Sequence, residues 1–380
     1  MLTLLSQSLH SQANRPDAVR FENLRTDRFH WENDFGITDR HYTNGLRRSR
    51  VWSSTEFWQR KIGTPLLNLL LLGARACGTN EEGCYTLRTG WAIGQNFYTP
   101  QIITDEEANP QDRPYAGFLY YGQLFELIQD RWVHEIEFDV GVLGPLALAG
   151  PVQAVWHQLW GWDHPEGWDH QIAHGLGIQA IYRSSYGLVS ARVDGQKVSP
   201  KRPAHISVTP SGQVSVGTPV TRAYVGGMLR LGRGIPPNMV PRIPAPAPPP
   251  APPVAVESEA LAASAEDDPA DMSMLREDAA RARALAERPR HAPVRPFYFF
   301  GGGSIHGVLL NDFLQGTHLG AVSENPRIDI EMNRTFSEAE AGLTFFVPLT
   351  PVDVTFRRVW RSAEFRGAPD HVFWALSVAW

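Results

Sequence analysis

The last ten residues, HVFWALSVAW, put Val372, Trp374, Leu376, Val378 and Trp380 on one face. His371, Ala375, Ser377 and Ala379 fall on the other, and Phe373 is out of step. A period of two is the pattern of a β-strand. WVHEIEFDVGV repeats it, with Trp132, Ile136, Phe138, Val140 and Val142 opposite Glu135, Glu137 and Asp139. Segments of this kind recur near 27–34, 42–52, 85–97, 114–127, 131–143, 168–183, 204–216, 219–232, 297–312, 331–347, 352–362 and 371–380. Several are long enough to cross a bilayer when tilted. No run of 18 or more apolar residues occurs, which excludes a bundle of membrane helices but not a membrane barrel, whose strands alternate. Each segment alone also fits a soluble sandwich. The even count of twelve favours an all-β fold, a twelve-stranded antiparallel transmembrane β-barrel.

Composition agrees. The 380 residues are 43% hydrophobic and 20% charged, so the chain as a whole is not disordered. A net charge of -5 argues against nucleic acid as a partner. Eighteen Phe, 12 Trp and 33 Gly suit a lipid-facing wall with many turns. The terminal aromatic strand looks like those of outer-membrane barrels and makes the barrel-assembly machinery an expected partner. Residues 1–26 read as an N-terminal extension, since Met1 to Arg20 make a poor signal peptide. Residues 27–234 read as the first part of the barrel and 296–380 as its last strands. Between them, 235–295 is a Pro-rich and Ala/Glu-rich insertion, with ten prolines from Pro236 to Pro253. Cys77 and Cys84 fit either a small disulfide loop or two free thiols.

With a periplasmic N-terminus, connections 35–41, 98–113, 144–167, 217–218, 313–330 and 363–370 fall at the outer mouth. Segment 53–84 and the insertion fall on the periplasmic side. The densest polar motifs then gather at the outer mouth, as a site requires. One connection, LALAGPVQAVWHQLWG, has the mixed three- and four-residue spacing of a short amphipathic helix through Val152, Val155, Trp156, Leu159 and Trp160. It carries His157, a candidate general base. Asn33 and Asp34 offer hard oxygen ligands suited to calcium. Thr43 is a possible substrate-positioning hydroxyl. Arg40 and Arg113 have forked donors suited to lipid phosphates. No serine-nucleophile motif of the GxSxG type appears. A His base with a bound cation suggests water as the nucleophile on an ester.

WENDFGITDRHYTNG, GWAIGQNFYTP, DRPYAG, VLGPLALAGPVQAVWHQLWG and GWDHQ, in this order, resemble the LpxR-type lipid A deacylases of Gram-negative outer membranes. The resemblance covers roughly 27–232 and is weaker over 297–380. It implies a bacterial outer-membrane location, lipid A or lipopolysaccharide as substrate, calcium dependence, and hydrolysis of the 3′-linked acyloxyacyl chain. Carried over residue by residue, it assigns Asn33, Asp34, Thr43 and His157 to the site, with Gln153 one helical turn before the histidine. Ala173, His174 and Gly175 stand where many relatives carry an acid after the GWD motif, and Asp163 is the candidate to replace it at the metal. A non-catalytic lipopolysaccharide-binding barrel and a glycerophospholipid phospholipase are the alternative readings. A porin fits least, because twelve strands give a narrow bore.

Overall fold

The computed structural model describes residues 25–33, 41–54, 58–70, 75–76, 84–129, 131–193, 204–235, 295–321 and 323–380. Twelve long strands follow one another: β1 (Arg25–Asn33), β2 (His41–Ser53), β3 (Cys84–Thr99), β4 (Ala116–Gln129), β5 (Trp132–Leu143), β6 (Gly175–Tyr186), β7 (Ala204–Gly217), β8 (Val220–Arg233), β9 (Phe297–Asn311), β10 (Thr335–Phe346), β11 (Asp353–Arg361) and β12 (His371–Ala379). Each pairs antiparallel with the next. β12 returns to β1 with Arg28 opposite Ala379 and Asn33 opposite Trp374, closing the barrel. Closure leaves no unpaired edge among these strands, as a chain surrounded by lipid requires. Two short strands, Arg75–Ala76 and Val189–Val193, pair beside the barrel strands β3 and β7.

The alternation sorts side chains to two sides. Exposed Phe138, Val140, Ile178, Val214, Val225, Leu229, Phe299 and Phe356 form an apolar outer wall. The inner wall is charged and paired. Arg47 on β2 meets Glu137 on β5 at 2.6 Å, and Arg88 meets Glu126 at 2.8 Å. Arg357 bridges Glu32 and Glu340, Arg361 meets Glu338 at 2.7 Å, and Arg183 pairs with Glu135. Removing one partner of such a buried pair costs roughly 3–5 kcal/mol. Arg47–Glu137 and Arg357–Glu32 tie strands that are not neighbours, and the other pairs fix the register of adjacent ones. Phe373, out of step in the sequence, points inward and packs on Val359.

The connections at the two rims differ. Those joining β1–β2, β3–β4, β5–β6, β7–β8, β9–β10 and β11–β12 share the upper rim. At the lower rim, the apolar stretch after residue 64 forms α1 (Thr64–Leu69), whose Leu67 is buried against Tyr85, Leu87 and Leu127. At the upper rim, α2 (Ala149–Trp160) follows a 3-10 turn, Gly144–Ala147, and ends at Gly161 with φ 68°. A short helix α3 (Asp312–Gln315) sends Phe313 into the upper end of the lumen. There it stacks on Tyr98 with ring centroids 4.3 Å apart and lies beside Phe118.

All twelve expected strands are present. The largest boundary shift is that the segment expected at 168–183 becomes a strand only from Gly175, because Gly167–His170 coils into a 3-10 turn that buries Trp168. The segment expected from 331 starts at Thr335. The insertion 235–295 and Cys77 lie outside the described residues, apart from Gly234-adjacent residue 235 and residue 295 at its ends.

Candidate active site on the outer wall

Residue parity fixes the side of the wall on which α2 sits. Asn96, Tyr98, Phe118 and Tyr120 line the lumen. Gln95, Phe97 and Gly117, the alternate residues of the same strands, face outward. Gln95 donates to the Ala147 carbonyl at 2.7 Å. A Cβ placed on Gly117 would lie 2.8 Å from the Ala149 Cβ, so the missing side chain is what lets the helix approach the strand. Phe97, Tyr115, Ala149 and Trp168 form one buried cluster. The helix therefore lies against the outside of β3 and β4, near the upper rim.

Its amphipathicity is inverted relative to a helix in water. Ala149, Gly150, Gln153 and His157 are buried against the barrel. Val155, Leu159 and Trp160 are exposed on the helix, as are Leu146 and Leu148 just before it. Polar groups inward and apolar groups outward is the arrangement a lipid environment favours.

Two tryptophans couple the helix to the rest of the site. Trp156 meets Trp31 of β1 edge-on, with centroids 5.9 Å apart. Trp31 donates to Asn44 Oδ1 at 3.2 Å, and Asn44 is the register partner of Asn33. Both asparagines are buried at the upper ends of their strands on the outward face. Between Tyr42 and Asn44 the β2–β3 register shifts, a β-bulge at residue 43. Bulges re-aim side chains where pairing ends.

His157 is 2% exposed. Its Nδ1 is 2.5 Å from the Asp163 backbone carbonyl, which can only accept, so Nδ1 carries the proton. Gln153 Nε2 stands 3.4 Å from His157 Nε2, and Gln153 Oε1 accepts from Trp168 Nε1 at 2.8 Å. That second bond fixes the Gln153 amide so that its NH2 faces the histidine. The chain Trp168–Gln153–His157–Asp163 thus holds a neutral imidazole with its Nε2 lone pair on the Gln153 side.

A profile of the family described as Outer membrane protein LpxR matches residues 1–380. The chain belongs to the LpxR family. It is a bacterial outer-membrane β-barrel. Among solved structures, LpxR from Salmonella typhimurium is similar at 16% identity and TM-score 0.61, over 93% of this chain and 99% of that one, a likeness of fold. The beta domain of the Bordetella autotransporter BrkA aligns at 8% identity and TM-score 0.36, over 94% of this chain and 97% of that one. No curated protein sequence matches.

In this LpxR-family protein the sequence-derived candidates separate. Asn33, Gln153 and His157 belong to the same stretch of outer wall. Asp34 and Arg40 lie outside the described residues, as does the Thr43 side chain. Asp163, expected as a metal ligand, meets the site through its backbone carbonyl, with its residue exposed at the surface. Arg113, expected to grip phosphate, is turned the other way. It is 1% exposed, stacks over the Tyr98 ring at 4.9 Å and donates to Glu364 at 3.0 Å. Its guanidinium ties the β3–β4 and β11–β12 connections together over the lumen. Among the described residues no three His, Cys, Asp or Glu side chains gather as a metal site. Sequence reasoning missed Trp31, Asn44 and Trp156. It quoted Trp168 only as part of GWDHQ, a motif whose Trp could have been read as a donor needing a buried partner.

Proposed function

We propose that this protein is an outer-membrane esterase that removes the 3′-linked acyloxyacyl chain of lipid A, with the upper rim facing the cell exterior. The observation that carries the reading is the position of His157, under an outward-apolar helix on the membrane side of the wall. A lipid of the outer leaflet can reach it by lateral movement, whereas a soluble ester cannot approach without crossing the apolar face of α2.

In this reading His157 Nε2 takes a proton from water as the water attacks the ester carbonyl. The 3.4 Å contact from Gln153 is longer than an ordinary hydrogen bond, so a water can take its place on Nε2 while the amide stays within reach. The Asp163 carbonyl stabilises the imidazolium that forms. The imidazolium returns the proton to the leaving sugar oxygen as the intermediate collapses and the ester C–O bond breaks, releasing the free acid. The Asn33 and Asn44 amides at the strand ends offer oxygens that suit a hard cation, and Asp34 follows Asn33 in sequence with a carboxylate of the same kind. Calcium held by Asp34 with Asn33 would supply Lewis-acid stabilisation of the oxyanion. Thr43 would supply a hydroxyl that positions the headgroup.

The test is mass spectrometry of lipid A from cells producing the protein or its His157→Ala variant. Loss of one acyloxyacyl chain with the parent and unchanged lipid A with the variant is expected. Unchanged lipid A in both, with folded barrels, would overturn the proposal.

A further inference from the structure

Arg47, Arg88, Arg183, Arg357 and Arg361 of the inner wall have carboxylate partners, whereas Arg358 of the outer wall has none among the described residues. It lies on β11 between inward-facing Arg357 and Val359, so it shares the outward face with Phe356 and Trp360. Its guanidinium carbon lies 5.3 Å from the Trp360 ring centroid and 5.0 Å from that of Trp374. Its cross-strand partners are Ala341 and Trp374, neither of which can neutralise it. Among the described residues it has no ion pair, and its Nε is buried without a hydrogen-bond partner. Two indole faces steady the cation. They leave its buried Nε–H unsatisfied, and an unpaired cation on a lipid-facing wall is costly and marks a ligand or pathway.

Register gives its place relative to the candidate site. Arg358 is opposite Trp374, and Trp374 is opposite Asn33. Arg358 is therefore two strands from Asn33, roughly 10 Å, on the same outer surface and with only an indole between them. Other outward arginines differ. Arg50 is held by Asp27 at 2.7 Å, and Arg48 pairs in register with Phe29, four residues down β1 from Asn33.

We propose that Arg358, clamped between Trp360 and Trp374, binds a phosphate of the glycolipid substrate and thereby fixes which ester of that lipid is presented to His157. This deepens the proposed function and rests on it. The guanidinium fork matches two phosphate oxygens, which a lysine cannot do. The missing counter-ion is then supplied by the substrate, so headgroup charge is read on the open side of Asn33 while α2 covers the other.

The test separates binding from turnover. Full-length His157→Ala protein in detergent is titrated with bisphosphorylated lipid A, with its fully dephosphorylated counterpart and with phosphatidylglycerol, with tryptophan fluorescence as the readout. Adding Arg358→Ala should weaken bisphosphorylated lipid A by roughly tenfold or more and leave the dephosphorylated lipid unchanged. Arg358→Lys should recover only part of the loss. Heat-modifiable migration on gels verifies that each variant keeps its barrel. Equal affinities with and without Arg358, or an equal loss for both forms of lipid A, would overturn the proposal. So would an equal Arg358 dependence for phosphatidylglycerol, which would make the residue a general bilayer contact. The binding arms stay readable even if the parent protein hydrolyses nothing, so failure of the esterase reading is distinguished from failure of the phosphate clamp.

Discussion

His157 donates a hydrogen bond from its Nδ1–H to the backbone carbonyl of Asp163, six residues further on. The partner is main chain, so substitution of the Asp163 side chain leaves it in place. Asp163→Asn should therefore retain most of the deacylase rate, within about threefold, whereas His157→Ala should lose at least about 100-fold, the usual worth of a general base. Rates on purified lipid A in detergent check both. A loss at Asp163→Asn as deep as that at His157→Ala would mean that the carboxylate itself acts.

Trp168 reaches the chemistry only through Gln153. Trp168→Phe keeps the ring against Phe97 and Tyr115 but removes the donor that orients the Gln153 amide. The amide is then free to turn its oxygen toward His157 Nε2, which would favour the imidazolium. The expected result is a fall in kcat of about tenfold with KM little changed, and an acidic limb of the pH–rate profile moved to higher pH. A change confined to KM would place Trp168 in substrate binding instead.

The strand pattern was readable because it is local. Alternation survives whatever the barrel encloses, so Trp132 to Leu143 could be placed as a strand, and its apolar and acidic faces separated, from the sequence alone. The site was only half readable. His157 and Gln153 share a helix, and their spacing shows it. That the helix lies outside the wall depends on Gly117 and Ala149, which are far apart in sequence and carry no chemistry. Arg113 misled for a related reason: DRPYAG looks like an exposed polar loop, but its arginine finds Glu364, 251 residues away. Arg358 was invisible because an arginine inside an alternating strand reads the same whether it faces a lumen of carboxylates or a bare outer wall.

The Arg113–Glu364 tie should titrate. Burial by itself would raise the Glu364 carboxyl, but Arg361 and Arg113 outweigh it and hold it below its usual range. A carboxylate depressed in the fold adds stability that is complete above its unfolded value, about 4.3. That stability is lost as pH falls through the folded value. Glu364→Gln should thus lower resistance to unfolding in detergent by roughly 3 kcal/mol near neutrality, and the gap to the parent should close in acid. A gap that widens below the usual carboxylate range would contradict the sign.

Calcium dependence has its own readout. If Asp34 and Asn33 hold the cation, a chelator should abolish deacylation and added calcium restore it, while barrel migration on gels is unchanged. Asn33→Ala should raise the calcium concentration needed for half-maximal rate, because one oxygen is lost from the set. Full activity in the chelator would remove the metal from the proposal and leave His157 as the centre of the chemistry.

Gly117 permits the sharpest separation of fold from site. It sits on the outer face of β4, where a Cβ would come within 2.8 Å of Ala149 and 3.0 Å of Ala147. The lumen, with its ion pairs, is on the other face and feels nothing. Gly117→Val should therefore leave the barrel closed and heat-modifiable but push α2 off the wall. The cluster of Phe97, Ala149 and Trp168 would open, and His157 would leave the surface shared with Asn33. Deacylation should drop by about 100-fold or more, since misplacement of a base by one ångström is costly, and protease cleavage within 144–167 should appear. An active Gly117→Val enzyme with intact α2 would show that the close approach of helix and strand is not what positions the base.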